Sequence, residues 1–302
     1  MSSPTFVIRG ALPALLTPFH TDGSVDVAVL RRLVAHQLEQ GCHGFFVCGS
    51  TGDGFLMTRE ERRTVVETVV GEVAGQVPVI AHVGAVSSDE AAAMAADACA
   101  LGVDAVSSVP PIYYPVGLDG FVRHMQTIGR AADRPMYCYY IPSLTGQSLG
   151  GDQFIEVLDQ IDNLVGLKFT HTDQFLLWWI LDAAGDRYSV LNGNDQMLVQ
   201  ALLTGAAGGI GSTYNYQTKT IVGIYEAYAA GDLDRARALQ WRANKIVQIL
   251  FRFRGDGLGV DRAIMKLRGI DIGPPRPPKV PFPDERLDAL RRALEEAGFF
   301  DE

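Results

Sequence analysis

Apolar residues recur along the chain in eight short runs. The runs are rich in apolar or β-branched residues and cover residues 10–16, 44–48, 78–83, 103–109, 135–141, Leu164–Phe169, 188–191 and 207–210. Near-continuous apolar runs of this length predict strands that are buried on both faces, as in a parallel sheet.

The segments between the runs have the spacing of amphipathic helices. Apolar residues three and four positions apart precede Gly41 and Gly75, namely Val29, Leu33, Val34 and Leu38, then Val65, Val66, Val69, Val70 and Val73. Two helix starts carry the capping-box spacing, Thr58 with Glu61 and Ser87 with Glu90.

Eight strand–helix repeats predict a parallel sheet that closes into a TIM (β/α)8 barrel, which we assign to residues 1–230. An open, doubly wound sheet is the competing topology. The absence of GxGxxG after the first strand and of a GK[ST] motif weighs against it.

After about residue 230 the strand runs stop, and three helical stretches follow at Leu233–Phe253, 260–268 and 286–297. Residues 231–302 are therefore predicted to form a C-terminal helical extension. The proline-rich segment 273–283 reads as an extended linker, or alternatively as a motif for a partner's aromatic groove.

Composition and charge narrow the function classes. With 302 residues, 47% apolar and 20% charged, the chain can bury one large core. The net charge is −9 and Lys and Arg form no run, so neither nucleic acid nor anionic lipid is an expected partner. An acidic surface also repels small carboxylates, so a carboxylate substrate would need donors and positive charge inside the site.

The cysteines and the N-terminus bear on the compartment. Four cysteines, Cys42, Cys48, Cys99 and Cys138, lie at irregular spacings inside apolar runs, which is typical of reduced core thiols. Residues 1–10 lack a basic cap followed by an apolar stretch, and no run is long enough for a membrane span. A soluble, cytoplasmic protein is expected.

The sixth run holds one lysine, Lys168, among apolar neighbours. Burial disfavours an ammonium, and a neutral amine can attack a carbonyl. Alternatively, the side chain reaches from the strand end to solvent. In a barrel the chemistry lies at the carboxyl ends of the strands, so the other strand ends bear on this choice.

The loop after the second run, residues 49–54, reads Gly-Ser-Thr-Gly-Asp-Gly. Its glycines allow successive backbone N–H groups to face one concavity that suits a carboxylate. The same composition is also typical of a tight strand-to-helix turn.

Paired tyrosines follow the fourth and fifth runs, Tyr113-Tyr114 and Tyr139-Tyr140. A phenol at a strand end can relay a proton to an alkoxide, or it can be a packing residue whose hydroxyl is satisfied. Because two tyrosine pairs flank a buried lysine, the proton-relay interpretation is favoured over packing.

Polar residues also follow the last two runs, at 192–196 and 209–215, and could hydrogen-bond a polyhydroxy chain. Asn194 or Asp195 could instead cap the next helix. Trp178 and Trp179 are interpreted as core or subunit contacts, and the six histidines, among them His82 and His171, show no metal-ligand spacing.

Four stretches together resemble one known family. They are Gly49-Ser50-Thr51-Gly52, Tyr139-Tyr140-Ile141-Pro142-Ser143-Leu144-Thr145-Gly146, Gly166-Leu167-Lys168-Phe169-Thr170 and Gly209-Ile210-Gly211-Ser212-Thr213-Tyr214-Asn215-Tyr216. In order and spacing they are similar to the N-acetylneuraminate lyase and dihydrodipicolinate synthase family. The resemblance implies an eight-stranded barrel with a helical extension, a homotetramer, and no metal or organic cofactor.

The resemblance also implies roles. Lys168 would form a Schiff base with the pyruvate moiety of a 2-oxo acid, Ser50 and Thr51 would hold its carboxylate, and Tyr139 would be the acid/base. Tyr113 would reach a neighbouring subunit's site and complete a hydroxyl relay through Thr51. The remaining matched positions would meet the sugar-derived part of the substrate, and they are Thr170, Gly193, Asp195, Gln196 and Ser212.

Three positions discriminate within the family. Leu144 stands where dihydrodipicolinate synthases carry an arginine for a second carboxylate, which disfavours a synthase. Gln196 replaces the glutamate that neuraminate lyases direct at the substrate's tail, and Asp53 replaces a glutamate after Gly52.

We therefore expect a class I aldolase that cleaves N-acetylneuraminate to pyruvate and an aldehyde. An aldolase or dehydratase for another 2-oxo-3-deoxy sugar acid is the first alternative. A barrel that binds 2-oxo acids for regulation, without turnover, is the alternative from a different class.

Overall fold

Eight parallel strands form a barrel in the computed structural model, which describes residues 6–254 and 259–301. The strands are β1 (Gly10–Pro13), β2 (Phe45–Val47), β3 (Val79–His82), β4 (Ala105–Ser108), β5 (Met136–Tyr140), β6 (Leu164–Phe169), β7 (Ser189–Asn192) and β8 (Gly208–Gly211). Their order is β1-β8-β7-β6-β5-β4-β3-β2. A parallel bridge between Ala14 and Phe46, with Leu15 N–H donating to Phe46 O at 2.9 Å, joins β1 to β2 and closes the barrel. The predicted (β/α)8 fold is confirmed.

Helices alternate with the strands and continue after the last one. They are α1 (Val27–Glu39), α2 (Arg59–Val73), α3 (Ser88–Ala100), α4 (Leu118–Ala131), α5 (Pro142–Thr145), α6 (Gly151–Leu158), α7 (Gln174–Ala184), α8 (Leu198–Thr204), α9 (Thr218–Ala229), α10 (Leu233–Phe253), α11 (Val260–Leu267) and α12 (Leu287–Glu296). The last three match the helical stretches predicted after residue 230 to within a residue at each end.

The predicted helix starts have a local chemical basis. At α2 the Thr58 hydroxyl accepts the Glu61 N–H at 3.2 Å, and the Glu61 carboxylate accepts the Thr58 N–H at 2.8 Å, which makes a complete capping box. At α3 the Ser87 hydroxyl accepts the Glu90 N–H at 3.5 Å.

Neighbouring residues on a strand face different parts of the core. Phe45 packs in the cluster between the strands and the surrounding helices, whereas Phe46 packs in the barrel interior with Leu12, Ile80 and Leu191. Both phenylalanines are fully buried. This alternation follows from the two-residue period of a strand, and it sets which residues can reach the barrel axis.

The proline-rich segment lies against the barrel instead of projecting from it. The Arg276 guanidinium donates to Leu56 O at 2.9 Å and pairs with the Glu61 carboxylate. Arg276 of the proposed partner motif is thus engaged with the barrel itself.

Three further sequence predictions can be compared with the structure. All four cysteines are buried free thiols, as predicted. Within residues 6–254 and 259–301, no helix has both the length and the apolar character that a membrane span requires. The core reading of Trp178 and Trp179 is wrong, because their side chains are 48% and 37% exposed on α7.

Candidate active site

A cavity of about 390 Å³ opens at the carboxyl ends of the strands. It brings together nearly all of the sequence-predicted site residues: Ser50, Thr51, Tyr139, Lys168, Thr170, Gly193, Asp195, Gln196 and Ser212. They follow or end five different strands. The cavity is where a closed α/β barrel is expected to bind its ligand.

Lys168 lies on the barrel side of β6 with 3% of its surface exposed. The alternative that its side chain reaches from the strand end to solvent is therefore wrong. Its Nζ lies 4.2 Å from the ring centroid of Phe46 and 4.1 Å from that of Tyr139. The parallel register pairs Tyr139 with Lys168, which places phenol and amine side by side on adjacent strands.

Tyr139 is held by aromatic neighbours. Its ring meets Phe46 edge to face at a centroid distance of 5.7 Å and His82 at 5.8 Å. Because both contacts are on the ring, the cavity-lining Tyr139 side chain is fixed without using its hydroxyl in packing.

The loop after β2 is both a tight turn and a donor surface. Gly54 N–H donates to Gly49 O at 3.0 Å, and a Cβ at Gly54 would lie 1.8 Å from Cys48 O, so only glycine fits there. The backbone N–H groups of Ser50 and Thr51 meet no acceptor among the described residues. They can therefore donate to a ligand carboxylate together with the two hydroxyls.

Positive charge reaches this loop from the C-terminal extension. The buried carboxylate of Asp53 accepts a hydrogen bond from Arg262 at 3.0 Å and pairs with Lys279. Arg262 is 7% exposed and also donates to Thr17 O at 2.8 Å. Burial lowers the pKa of Arg262, and the Asp53 charge opposes that shift.

Sequence reasoning missed Arg262 and Lys279, which stand 209 and 226 residues after Asp53. The one usable signal was indirect: an acidic chain that binds a carboxylate needs cations near the site.

Asp195 is a buried carboxylate at the end of β7, and the helix-capping alternative is wrong for it. Its Oδ2 accepts the Thr213 N–H at 2.7 Å and the Ser212 hydroxyl at 3.4 Å. Burial raises the pKa of Asp195, while the hydrogen bonds from Thr213 and the charge of Lys168 oppose that shift. A Cβ at Gly211 would lie 2.1 Å from Asp195 Oδ1, so the glycine makes room for the carboxylate.

Helix α10 supports the turn that carries Asp195 and Gln196. Gln240 Nε2 donates to Asp195 O at 3.1 Å, and Asn244 Nδ2 donates to Gln196 O at 3.2 Å. The same helix lines the cavity with Val247, Leu250 and Phe251, and Arg254, which follows the helix, lines it as well. The extension thus forms part of the cavity wall, which the sequence did not indicate.

Tyr113 is the predicted site residue that does not line the cavity. Its side chain is 85% exposed, and its backbone has φ 73°, a conformation that is costly for a residue with a Cβ. Its predicted role in a neighbouring subunit's site stays a prediction.

Residues 7–297 match the model of the dihydrodipicolinate synthetase family. The match covers almost the whole chain, including the cavity residues and the extension.

The chain belongs to this family.

Members of the family share both sequence and fold with it. An N-acetylneuraminate lyase of Citrobacter koseri is 41% identical over 252 residues, which is 82% of this chain and 84% of the relative. Among solved structures, CdNal of Clostridium difficile in complex with mannosamine has a TM-score of 0.88 at 28% identity, covering 97% of this chain and 98% of its own. A catalytic lysine mutant of the Ruminococcus gnavus sialic acid aldolase has a TM-score of 0.90 at 27% identity, covering 96% and 95%.

Proposed function

We propose that this family member is a class I aldolase that cleaves N-acetylneuraminate to pyruvate and an aldehyde through a Schiff base on Lys168. The observation that carries the proposal is the buried amine of Lys168 beside Tyr139, opposite the free donors of the loop after β2.

The geometry supports a sequence of steps. Ser50 and Thr51 bind the carboxylate of the 2-oxo acid, which places its keto carbon at Lys168. The Lys168 ammonium gives up one proton and the neutral amine adds to that carbon to form a carbinolamine. One proton returned to the carbinolamine hydroxyl lets it leave as water, so a protonated imine forms.

The protonated imine is an electron sink for carbon–carbon cleavage. Tyr139 takes the proton of the substrate's C4 hydroxyl as the C3–C4 bond breaks, and the bonding electrons form an enamine on Lys168. Protonation of the enamine at C3 and hydrolysis of the imine then release pyruvate and regenerate the amine.

The relatives support the sugar-acid part of the proposal. The 41% identical relative is named an N-acetylneuraminate lyase, and one solved neighbour is in complex with mannosamine. Another is a mutant of the catalytic lysine of a sialic acid aldolase, which agrees with a lysine nucleophile. We propose that Thr170, Gly193, Asp195, Gln196 and Ser212 meet the substrate's hydroxyl-bearing chain.

A second candidate substrate, another 2-oxo-3-deoxy sugar acid, is favoured by the outer wall of the cavity. The neutral Gln196 lies on a wall that also carries exposed apolar side chains, Leu144 at 65% and Phe251 at 56% exposure. Leu144 offers no charge to a second carboxylate, which disfavours a dihydrodipicolinate synthase.

Borohydride trapping tests the Schiff base. We expect pyruvate plus borohydride to add one reduced adduct to the intact protein, located at Lys168 by peptide mass mapping. Lys168→Met should gain none, and Lys266→Met, at an exposed lysine, should trap like the wild type. A wild-type protein that gains no adduct would contradict every Schiff-base version of the proposal.

A substrate panel then separates the two candidate substrates. Pyruvate release from N-acetylneuraminate, measured with a coupled dehydrogenase, is the expected result. Release only from other 2-oxo-3-deoxy sugar acids would favour the second candidate.

We also propose a homotetramer that works in a reducing compartment. Exposed aromatic side chains form two groups that subunit contacts would cover, Tyr113 with Tyr114 and Phe175 with Trp178 and Trp179. The four buried free thiols suit reducing conditions. We further propose that residues 231–302 complete the site of the 1–230 barrel.

A further inference from the structure

Two aromatic rings lie against the amine of Lys168. No described residue gives it a hydrogen bond or an ion pair, although it is 3% exposed. Its Nζ instead lies over the rings of Phe46 and Tyr139, at 4.2 and 4.1 Å from their centroids. These distances are well inside the range in which the negative face of a ring attracts a cation.

The ionisable groups packed around Lys168 come from three directions. Tyr139 faces it from β5, His82 from β3, and Asp195 from the turn after β7. Burial, with the charges of Arg62 and Lys168, holds the pKa of His82 well below its ordinary value, so His82 is neutral near pH 7. The Oδ2 atom of Asp195 accepts hydrogen bonds from the Thr213 N–H and the Ser212 hydroxyl.

Charge is conserved when an ammonium becomes a protonated imine. The ammonium and a ketone give the iminium and water, so Nζ is positive both before the reaction and in the covalent intermediate. It is uncharged as the attacking amine, in the carbinolamine that the amine forms with the ketone, and as the enamine after cleavage. A ring fixed against Nζ therefore stabilises the ammonium and the iminium relative to the states in which Nζ is neutral.

We propose that Phe46 is a further catalytic residue, whose ring face holds the positive charge of Nζ in the resting ammonium and in the iminium. The inference rests on the Schiff-base function proposed above. Tyr139 contributes a second ring, but its hydroxyl has a separate task, so Phe46 is the position at which the ring effect can be removed alone.

The chain supplies a matched control. Phe45 precedes Phe46 on β2, is equally buried, and packs on the helix side of the strand, away from the cavity. Phe46→Leu and Phe45→Leu delete the same atoms at the same depth, and only the first removes a ring from Nζ.

The test measures the rate of pyruvate trapping by cyanoborohydride as a function of pH. Without the ring the ammonium is less favoured, so we expect the pH of half-maximal rate to fall by about one unit in Phe46→Leu, a tenfold change in the fraction of neutral amine. Phe45→Leu should keep the wild-type midpoint. Phe46→Tyr, which retains a ring face, should restore it.

The outcomes separate this inference from the function on which it rests. A wild-type protein that traps no pyruvate overturns the function itself. A Phe46→Leu midpoint that stays with Phe45→Leu, or moves to higher pH, overturns the role of Phe46 and leaves the Schiff base intact. If Phe46→Leu fails to fold, Phe46→Met, with a longer unbranched side chain, serves in the same comparison.

Discussion

At the scale of single residues, Tyr139 uses two parts of one side chain for two tasks. Its ring lies against Lys168 and packs edge to face with Phe46 and His82. Its hydroxyl is the part assigned to proton transfer. Since the ring contacts do not involve the oxygen, removing the hydroxyl should leave the position of the ring unchanged.

Tyr139→Phe should therefore lose turnover and keep imine formation. We expect pyruvate release from N-acetylneuraminate to fall roughly 10² to 10⁴-fold, the usual worth of a general acid/base. Borohydride trapping with pyruvate should remain measurable, because Lys168 and the carboxylate donors are intact.

The control is Tyr140→Phe on the same strand. Tyr140 is buried on the helix side, where its hydroxyl accepts the Leu149 N–H at 3.3 Å. The Tyr140→Phe variant should release pyruvate from N-acetylneuraminate at the wild-type rate. Unchanged turnover in Tyr139→Phe would show that another group moves the proton.

At the scale of elements, α11 and the proline-rich segment attach the extension to the loop after β2, the donor loop. Arg262 of α11 and Lys279 of the segment converge on Asp53, a residue with φ 59° at the end of the donor loop. The two cations balance a carboxylate that is 3% exposed. The extension therefore determines the charge and the shape of the loop.

Arg262→Met should destabilise the protein by about 3 kcal/mol, because it leaves the buried Asp53 carboxylate short of its buried partner. It should also raise the pyruvate concentration needed for half-maximal trapping, since the loop loses its support. Urea unfolding followed by circular dichroism measures the first effect, and trapping titrations measure the second.

Lys279→Met is the matched variant, because it removes a cation from the same carboxylate. The Lys279 side chain is 40% exposed, so water replaces it more readily and a smaller loss of stability is expected. Equal losses of unfolding free energy in the two variants would contradict the view that burial decides how much each ion pair stabilises the protein.

At the scale of the whole molecule, one chain does not bring every predicted site residue into its cavity. Tyr113 is exposed beyond the rim with Tyr114, the two rings in edge-to-face contact at a centroid distance of 5.0 Å. Burying such a pair between subunits is favourable, and the family resemblance predicts that Tyr113 then lies near a second cavity.

Mixed oligomers test this arrangement. Tyr113→Phe and Lys168→Met homo-oligomers should each have low turnover, and co-expression of the two should recover activity, because one mixed site receives a native Lys168 and a native Tyr113. Turnover of oligomers purified with two different tags is the measurement.

The control pairs Tyr139→Phe with Lys168→Met. Both side chains line the same cavity of one chain, so no mixed site has both native residues and no recovery is expected. If co-expression of Tyr113→Phe and Lys168→Met recovered no turnover, Tyr113 would not act in a neighbouring subunit's site.

The sequence alone determined the fold and named most of the predicted residues that line the cavity. Eight apolar runs and the spacing between them are local properties that follow from the periods of strands and helices, so the barrel could be predicted without knowing any distant contact. The residues at the strand ends followed, because closing the barrel brings those ends together.

Only the tertiary structure decided how each candidate residue is buried and paired. The burial of Lys168 and its contact with Phe46, the hydrogen bond that the Thr213 N–H donates to Asp195, and the pairing of Asp53 with Arg262 all depend on a segment other than the residue's own. Burial and pairing depend on what packs around a side chain, and distant segments supply those neighbours. The pattern of the chain therefore named Lys168, and the packing of other strands made it a buried amine against an aromatic wall.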